Sequence, residues 1–291
     1  MSVLTDVELW LNEPHSATAD KVHELLDSLG GKLPGKNLVS VPSRSKGTAL
    51  VLGDIHGDLP LLRRMVMEHF ERAGGVDLVV TLGDYVDRTP EGAPFGSLMC
   101  ALYVLALAAR HPGRFIALRG NHETQRHVPA QPSELDEEAE QLLGDRTLAT
   151  RIWDRIEELP LAATTENGAY LAHAGFPMDA DWKGALAHPV ERTYLEVVWN
   201  DVDASPICGQ RGIDQVPISE ETLSAFLHNS GSGIVVRGHD PYVAGLPLYH
   251  DRLMTVHTTR SVVRTGIFAL KLPLDGRLRS LERTQLLRVP P

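Results

Sequence analysis

The feature that most constrains this chain is a motif that occurs five times: a short, β-rich apolar run ending in a cluster of Gly with Asp, Asn or His. Ala49 to Leu52 precede Gly53-Asp54-Ile55-His56-Gly57-Asp58, and Leu78 to Leu82 precede Gly83-Asp84-Tyr85-Val86-Asp87-Arg88. Phe115 to Leu118 lead to Gly120-Asn121-His122-Glu123, Ala169 to Ala172 to His173-Ala174-Gly175, and Ile234 to Val236 to Arg237-Gly238-His239-Asp240. A single such cluster reads as an ordinary turn. Five of them, each at the C-terminal end of a strand, read as one site, because strand ends of an open sheet converge on a crevice.

Helical stretches separate the first three strands, the βαβ signature of a sheet covered by helices, so the fold class is α/β. Leu59 to Ala73 starts with Pro60 in its first turn and stops at Gly74-Gly75; Ser97 to Arg110 stops at Pro112-Gly113. Two more helices are predicted over Glu134 to Leu143 and Thr147 to Leu159. The acidic run Glu134, Asp136, Glu137, Glu138, Glu140 reads as a solvated helix face. Asp275-Gly276, between Thr265 to Leu272 and Arg277 to Leu281, predicts a β-hairpin that closes a sheet. Residues 1–46 read as two short helices and a polar connector, Pro42 to Gly47.

The 291 residues carry a formal net charge of -10, which argues against a nucleic-acid backbone as partner. Two cysteines, Cys100 and Cys208, are too few for a disulfide framework, and the N-terminus carries no signal-peptide pattern, so the expected compartment is cytoplasmic. The longest apolar run, Leu98 to Ala109, falls short of the roughly 20 residues that span a bilayer. No membrane association is expected.

Asp54, His56, Asp84, Asn121, His173 and His239 form a mixed nitrogen and oxygen donor set without thiolate. That set suits two borderline divalent ions such as Mn, Fe or Zn, and a calcium site would not use three histidines. Gly beside the donors fits a chain that must turn at once after a strand, with positive φ or close backbone approach.

Gly53-Asp54-x-His56-Gly57, Gly83-Asp84-x-Val86-Asp87-Arg88 and Gly120-Asn121-His122-Glu123 resemble the signature motifs of the PPP family of metallophosphatases, the calcineurin-like serine/threonine protein phosphatases. Leu159-Pro160-Leu161-Ala162-Ala163, His173-Ala174-Gly175, Trp199-Asn200-Asp201, Gln210-Arg211-Gly212, Phe226-Leu227 and Arg237-Gly238-His239 are similar to its later segments in order. The resemblance runs from about Thr48 to His257. It implies two packed mixed β-sheets flanked by helices on both sides, with an N-terminal helical arm or cap over 1–47 and a metallophosphatase domain over 48–291. It further implies that Asp54, His56 and Asp84 hold one metal, that Asp84 bridges to a second held by Asn121, His173 and His239, and that Asp87 orients His122. Arg88 and Arg211, with Asn121, would hold the phosphate. Thr89 stands where Gly is usual, Ala174 replaces the first Gly of His-Gly-Gly, and residues 130–146 form an insert. Val256-His257-Thr258-Thr259-Arg260 replaces the family's Ser-Ala-Pro-Asn-Tyr, removing a substrate-facing tyrosine.

Two adjacent metals lower the pKa of a bridging water, and the resulting hydroxide attacks phosphorus in line with the leaving oxygen. A serine or threonine alkoxide needs a proton as it departs, for which His122 beside a carboxylate is suited. Guanidinium forks match phosphoryl oxygens, so Arg88 and Arg211 are chemically apt, although each also makes sense as a salt-bridge residue. The expected cofactors are two divalent ions, Mn2+ first and Fe or Zn next. The expected substrates are phosphoserine and phosphothreonine in proteins or peptides, with no stable partner inferable. A symmetrical dinucleoside-tetraphosphate hydrolase ranks second, because its third motif usually ends in Asp where this chain has Glu123; a nuclease or phosphodiesterase ranks third. A phosphate-binding scaffold without turnover is the non-enzyme alternative. His15, His23, His69, His111, His188, His228 and His250 receive no role, and His127 is a weaker candidate for substrate contact.

Overall fold

The computed structural model describes residues 3–213 and 216–290. Two mixed sheets pack face to face. One has the order β1-β5-β6-β7-β9-β8, made of β1 (Leu38–Val41), β5 (Ala162–Thr165), β6 (Ala169–Ala172), β7 (Ile234–Arg237), β9 (Leu253–Thr255) and β8 (Pro247–Leu248). The other has the order β11-β10-β2-β3-β4, made of β11 (Gln285–Arg288), β10 (Phe268–Pro273), β2 (Thr48–Leu52), β3 (Leu78–Thr81) and β4 (Phe115–Ala117). In each sheet three neighbouring strands run parallel, β2-β3-β4 and β6-β7-β9. Their C-terminal ends carry the five polar clusters.

Side-chain alternation explains the layering. Ala49, Val51, Leu78 and Val80 face Leu171, Val236 and Met254 in the core between the sheets, while Leu50, Leu52 and Val79 face the helices outside. On that outer side lie α1 (Val3–Asn12), α2 (Ala19–Ser28), α3 (Leu59–Val66), α4 (Gly96–Arg110), α5 (Glu134–Leu143) and α6 (Arg146–Ile156). α4 is buried from Gly96 to Ala108, as expected for a helix that is apolar all round. The six-stranded sheet is covered by α7 (Trp182–Ala187), α8 (Glu191–Val198) and α9 (Glu220–Ser230) around Tyr170, Phe176 and Phe226. In the N-terminal segment, Val7 and Trp10 lie in the same cluster as α4, and β1 pairs in parallel with β5. No helix among the described residues is long and apolar enough to cross a membrane.

Three local expectations change. The helix predicted to Ala73 ends as α-helix at Val66 and continues as a wider π turn over Met67–Glu71. The Asp275-Gly276 hairpin does not form: β10 pairs instead with Gln285–Arg288. Residues 277–281 are pulled elsewhere, because the N–H groups of Leu278 and Leu281 donate to Asn167 O and Asp251 O and both side chains join the intersheet core. The acidic run is not simply a solvated face. Glu134 and Glu138 accept hydrogen bonds from residues 89–98, and Asp136 accepts from Trp153 Nε1 at 3.1 Å.

Candidate metal centre and acid dyad

All six predicted donors meet at the seam between the sheets, and all are buried. The five-stranded sheet presents Asp54 and His56 after β2, Asp84 after β3 and Asn121 after β4. The six-stranded sheet presents His173 after β6 and His239 after β7. His173 Nε2 lies 2.9 Å from Asn121 Oδ1, 3.2 Å from His239 Nδ1 and 3.4 Å from Asp84 Oδ2, and His239 Nδ1 lies 3.0 Å from Asn121 Oδ1. On the other side of Asp84, His56 Nε2 is 3.6 Å from its Oδ2 and 3.8 Å from Asp54 Oδ2. Asp84 therefore borders two donor groups.

The tautomers suit metal ligation. His56 Nδ1 is 3.2 Å from Val86 O and His173 Nδ1 is 3.0 Å from Leu82 O, so each carries its proton outward and turns the Nε2 lone pair inward. Burial pushes His56 and His239 well below the ordinary imidazole value and His173 down to about 4, which keeps all three neutral at pH 7. Burial, then the neighbouring Asp54 and Glu123 carboxylates, push Asp84 well above the usual carboxylate range. Burial is the largest single influence on Asp54 and acts against its charge, but His257, His173 and His56 together outweigh it and hold that acid well below its ordinary value. Inward lone pairs and carboxylates converging this closely in a buried pocket fit a set of divalent metal sites.

One further donor appears. His257 Nε2 is 3.3 Å from Asp54 Oδ2, the ring is buried, and Asp54, His56 and His257 form a ligand-capable triad. Sequence reasoning treats His257 only as a departure at the substrate rim. A sixth strand, β9, followed two residues on by a histidine was the available signal, but no glycine marks it. The backbone explains its placement: residue 257 forms a bridge with Asp54, Thr258 N–H donates to Asp54 O at 3.1 Å, and Gly53 N–H donates to Thr258 Oγ1 at 2.9 Å. This pairing ties the two sheets together beside the site.

The loops are held in unusual conformations. His56, Asp84, Asp87, Arg88 and His239 all have positive φ, between 48° and 73°. Left-handed backbone at non-glycine residues costs free energy and persists where the surroundings over-determine it. The donors themselves thus carry much of the turn, and glycine mainly gives room. A Cβ on Gly53 would stand 2.0 Å from Val256 O, and one on Gly120 would stand 2.2 Å from Asp84 Oδ1. Glu123, for which the sequence suggests no role, clamps two loops: it accepts from the N–H groups of Asp84, Tyr85 and Gly120 at 2.6, 2.7 and 2.8 Å.

His122 stands beside the donors, its ring centroid 5.1 Å from that of His56. Its Nδ1 is 2.6 Å from Asp87 Oδ2, while its buried Nε2 has no protein partner. Burial pushes Asp87 up to about 7 and His122 down to about 3. Their short contact opposes both trends, since each charge compensates the other. Drawn as a neutral or as an ionic pair, the dyad shares one proton between Asp87 Oδ2 and His122 Nδ1 and keeps a second on Nε2. Arg88 reaches the centre, with Nη1 3.5 Å from His56 Nε2. Arg211 is set further back: its Nε is 3.0 Å from both oxygens of Asp201, and its Nη2 is unpartnered. His127 is outside the cluster, stacked on Tyr194 with ring centroids 4.1 Å apart and bonded to Glu157 at 3.1 Å.

An α/β sandwich with a histidine and carboxylate cluster at its converging strand ends is the framework of a metal-dependent hydrolase. The chain belongs to the calcineurin-like phosphoesterase family, whose model matches residues 47–243. It is 27% identical over 241 residues to the serine/threonine-protein phosphatase 4 catalytic subunit of Kluyveromyces lactis, covering 77% of this chain and 73% of that protein. The Saccharomyces cerevisiae counterpart is 27% identical over 252 residues, covering 78% and 74%. Among solved structures, a protein serine/threonine phosphatase from S. cerevisiae superposes with a TM-score of 0.75 at 20% identity, covering 94% of this chain and 90% of that one. A cold-active protein tyrosine phosphatase from a Shewanella species gives 0.56 at 16% identity, covering 83% and 78%. These two likenesses establish the shared fold.

Proposed function

We propose that this protein is a dinuclear metal-dependent phosphoprotein phosphatase acting on phosphoserine and phosphothreonine monoesters. The observation that carries the reading is the joint placement of two donor groups around Asp84 and an acid dyad, His122 and Asp87, at their edge. The homology to protein phosphatase 4 catalytic subunits supports the substrate class.

In this reading Asp54, His56, Asp84 and His257 would hold one ion, and Asp84, Asn121, His173 and His239 the other. The donor set favours Mn2+, with Fe or Zn as alternatives. Bound there, such ions supply Lewis acidity and water activation at neutral pH. The chain's own groups do the rest. Arg88 and the free Nη2 edge of Arg211 neutralise phosphoryl oxygens, and the Asn121 side chain helps to orient them. His122 Nε2 gives its proton to the departing serine or threonine oxygen as the ester P–O bond breaks, while Asp87 holds the imidazole in line. The net charge of -10 supports a protein rather than a nucleic-acid substrate, and the two unpaired cysteines, Cys100 and Cys208, support a cytoplasmic site of action.

The test is relative turnover of phosphoserine, phosphothreonine and phosphotyrosine peptides and of diadenosine tetraphosphate, each with Mn2+. The reading predicts the first two as preferred substrates. Preference for the dinucleotide would move the protein to the runner-up activity, and metal binding without any turnover would make it a scaffold.

A further inference from the structure

Both oxygens of Asp87 are engaged. Oδ2 faces His122, and Oδ1 accepts a hydrogen bond from the backbone N–H of Glu134 at 2.6 Å, the first residue of α5. The Glu134 side chain returns to the same loop: its Oε2 accepts from Thr89 N–H at 3.2 Å, Thr89 Oγ1 at 2.9 Å and Ser97 Oγ at 3.2 Å. Ser97 Oγ in turn accepts from Asp87 N–H at 2.8 Å. Glu138, one turn on, accepts from Leu98 N–H at 2.8 Å, and Leu135 and Ala139 bury the inner face of the helix. Room for the Thr89 side chain comes from two glycines, since a Cβ on Gly57 would lie 2.3 Å from Thr89 Oγ1 and one on Gly96 would lie 2.5 Å from its Cγ2. Asp87 and Arg88 sit at φ 65° and 55°, a backbone that needs external support.

We propose that α5 positions the general acid: Glu134, latched through Thr89 and Ser97, fixes Asp87 and thereby aims His122 Nε2 at the leaving oxygen. Glu134 and Thr89 are positioning residues that act through Asp87. Threonine at 89 and the acidic insert are two parts of one device, because the hydroxyl faces Glu134 Oε2 at 2.9 Å, with Ser97 Oγ beside it at 3.1 Å. The proposal rests on the phosphomonoesterase reading given above and adds what controls its acid.

Leaving-group dependence separates positioning from general damage, since p-nitrophenolate departs with little need of a proton and a serine alkoxide departs with great need. Glu134→Ala should lower kcat on a phosphoserine peptide about 10- to 100-fold and on p-nitrophenyl phosphate by less than about 3-fold, with both KM values kept. Thr89→Val should follow Glu134→Ala in direction, and Thr89→Ser, which keeps the hydroxyl, should restore the peptide rate. Equal losses on both substrates, or no loss on either, would overturn the proposal. A readout free of turnover is the low-field proton resonance of the 2.6 Å His122–Asp87 hydrogen bond. It should move or broaden in Glu134→Ala and stay in place in Thr89→Ser; an unchanged resonance in Glu134→Ala refutes the latch even if the protein hydrolyses neither substrate. Absence of wild-type turnover with the resonance shift present would count against the phosphatase reading alone.

Discussion

The two sheets contribute unlike chemistry to one centre. The five-stranded sheet supplies both aspartate donors, the Asn121 amide, His56 and the whole acid dyad. The six-stranded sheet supplies imidazole, as His173, His239 and His257, and no carboxylate donor. In the proposed reading, proton transfer is thus prepared on one sheet, whereas each metal site would draw ligands from both. The two functions should therefore respond differently when the seam between the sheets is disturbed.

The sharpest way to break this contrast is at Asp84, which borders both donor groups. Asp84→Asn should remove several kcal/mol of transition-state stabilisation, roughly 10³-fold in rate, and lower metal content as measured by elemental analysis. Retention of two full metal equivalents would mean that Asp84 does not bridge. Next is His122→Asn, which disturbs only the one-sheet function. Alkyl phosphate turnover should fall about 10²- to 10⁴-fold while both metals remain bound, and unchanged turnover would take His122 out of the mechanism. Gly53→Ala attacks the seam itself. Its Cβ would meet Val256 O at 2.0 Å, so a loss of about 1–3 kcal/mol is expected in denaturant titration, together with weaker metal binding. Metal removal should act in the same direction: Mn2+ at about 100 times its Kd should stabilise the fold by about 2.7 kcal/mol for each of the two sites over the chelated protein, read as a Tm shift.

The smallest effect concerns Glu138, away from the metals. Burial pushes its carboxyl up from 4.5 to about 7, so folding favours its protonated form. That contribution to stability is complete below pH 4.5 and is lost as pH rises through about 7. Glu138→Gln should flatten this slope by an amount of order 1–2 kcal/mol across the range, and a slope that persists would assign it to other groups.

The layered fold and the convergence of the six candidate ligands were legible in the sequence because each rests on a local signal: a short continuous apolar run followed by a polar cluster. Long-range pairing decided the remainder. Nothing near Asp275-Gly276 reveals that Leu278 and Leu281 are captured by Asn167 and Asp251 in place of forming a hairpin arm. His257 lies more than 200 residues from the Asp54 it faces, and it enters the site by a backbone bridge that only the meeting of the sheets creates. The acidic run misled for a related reason. Helical periodicity shows which residues share a face, but the hydrogen-bond partners of Glu134, Thr89 and Ser97, lie on other parts of the chain.

The central claim is that one active centre needs ligands from both sheets and two metals. Titration of the metal-free protein with Mn2+, following phosphoserine peptide turnover against bound metal per chain, tests it most directly. The account predicts that turnover rises steeply and saturates at two equivalents in the wild type, and that His239→Ala, which removes a donor of the six-stranded sheet alone, neither reaches that plateau nor binds the second equivalent tightly. Full turnover at a single equivalent, or a wild-type plateau in His239→Ala, would contradict it.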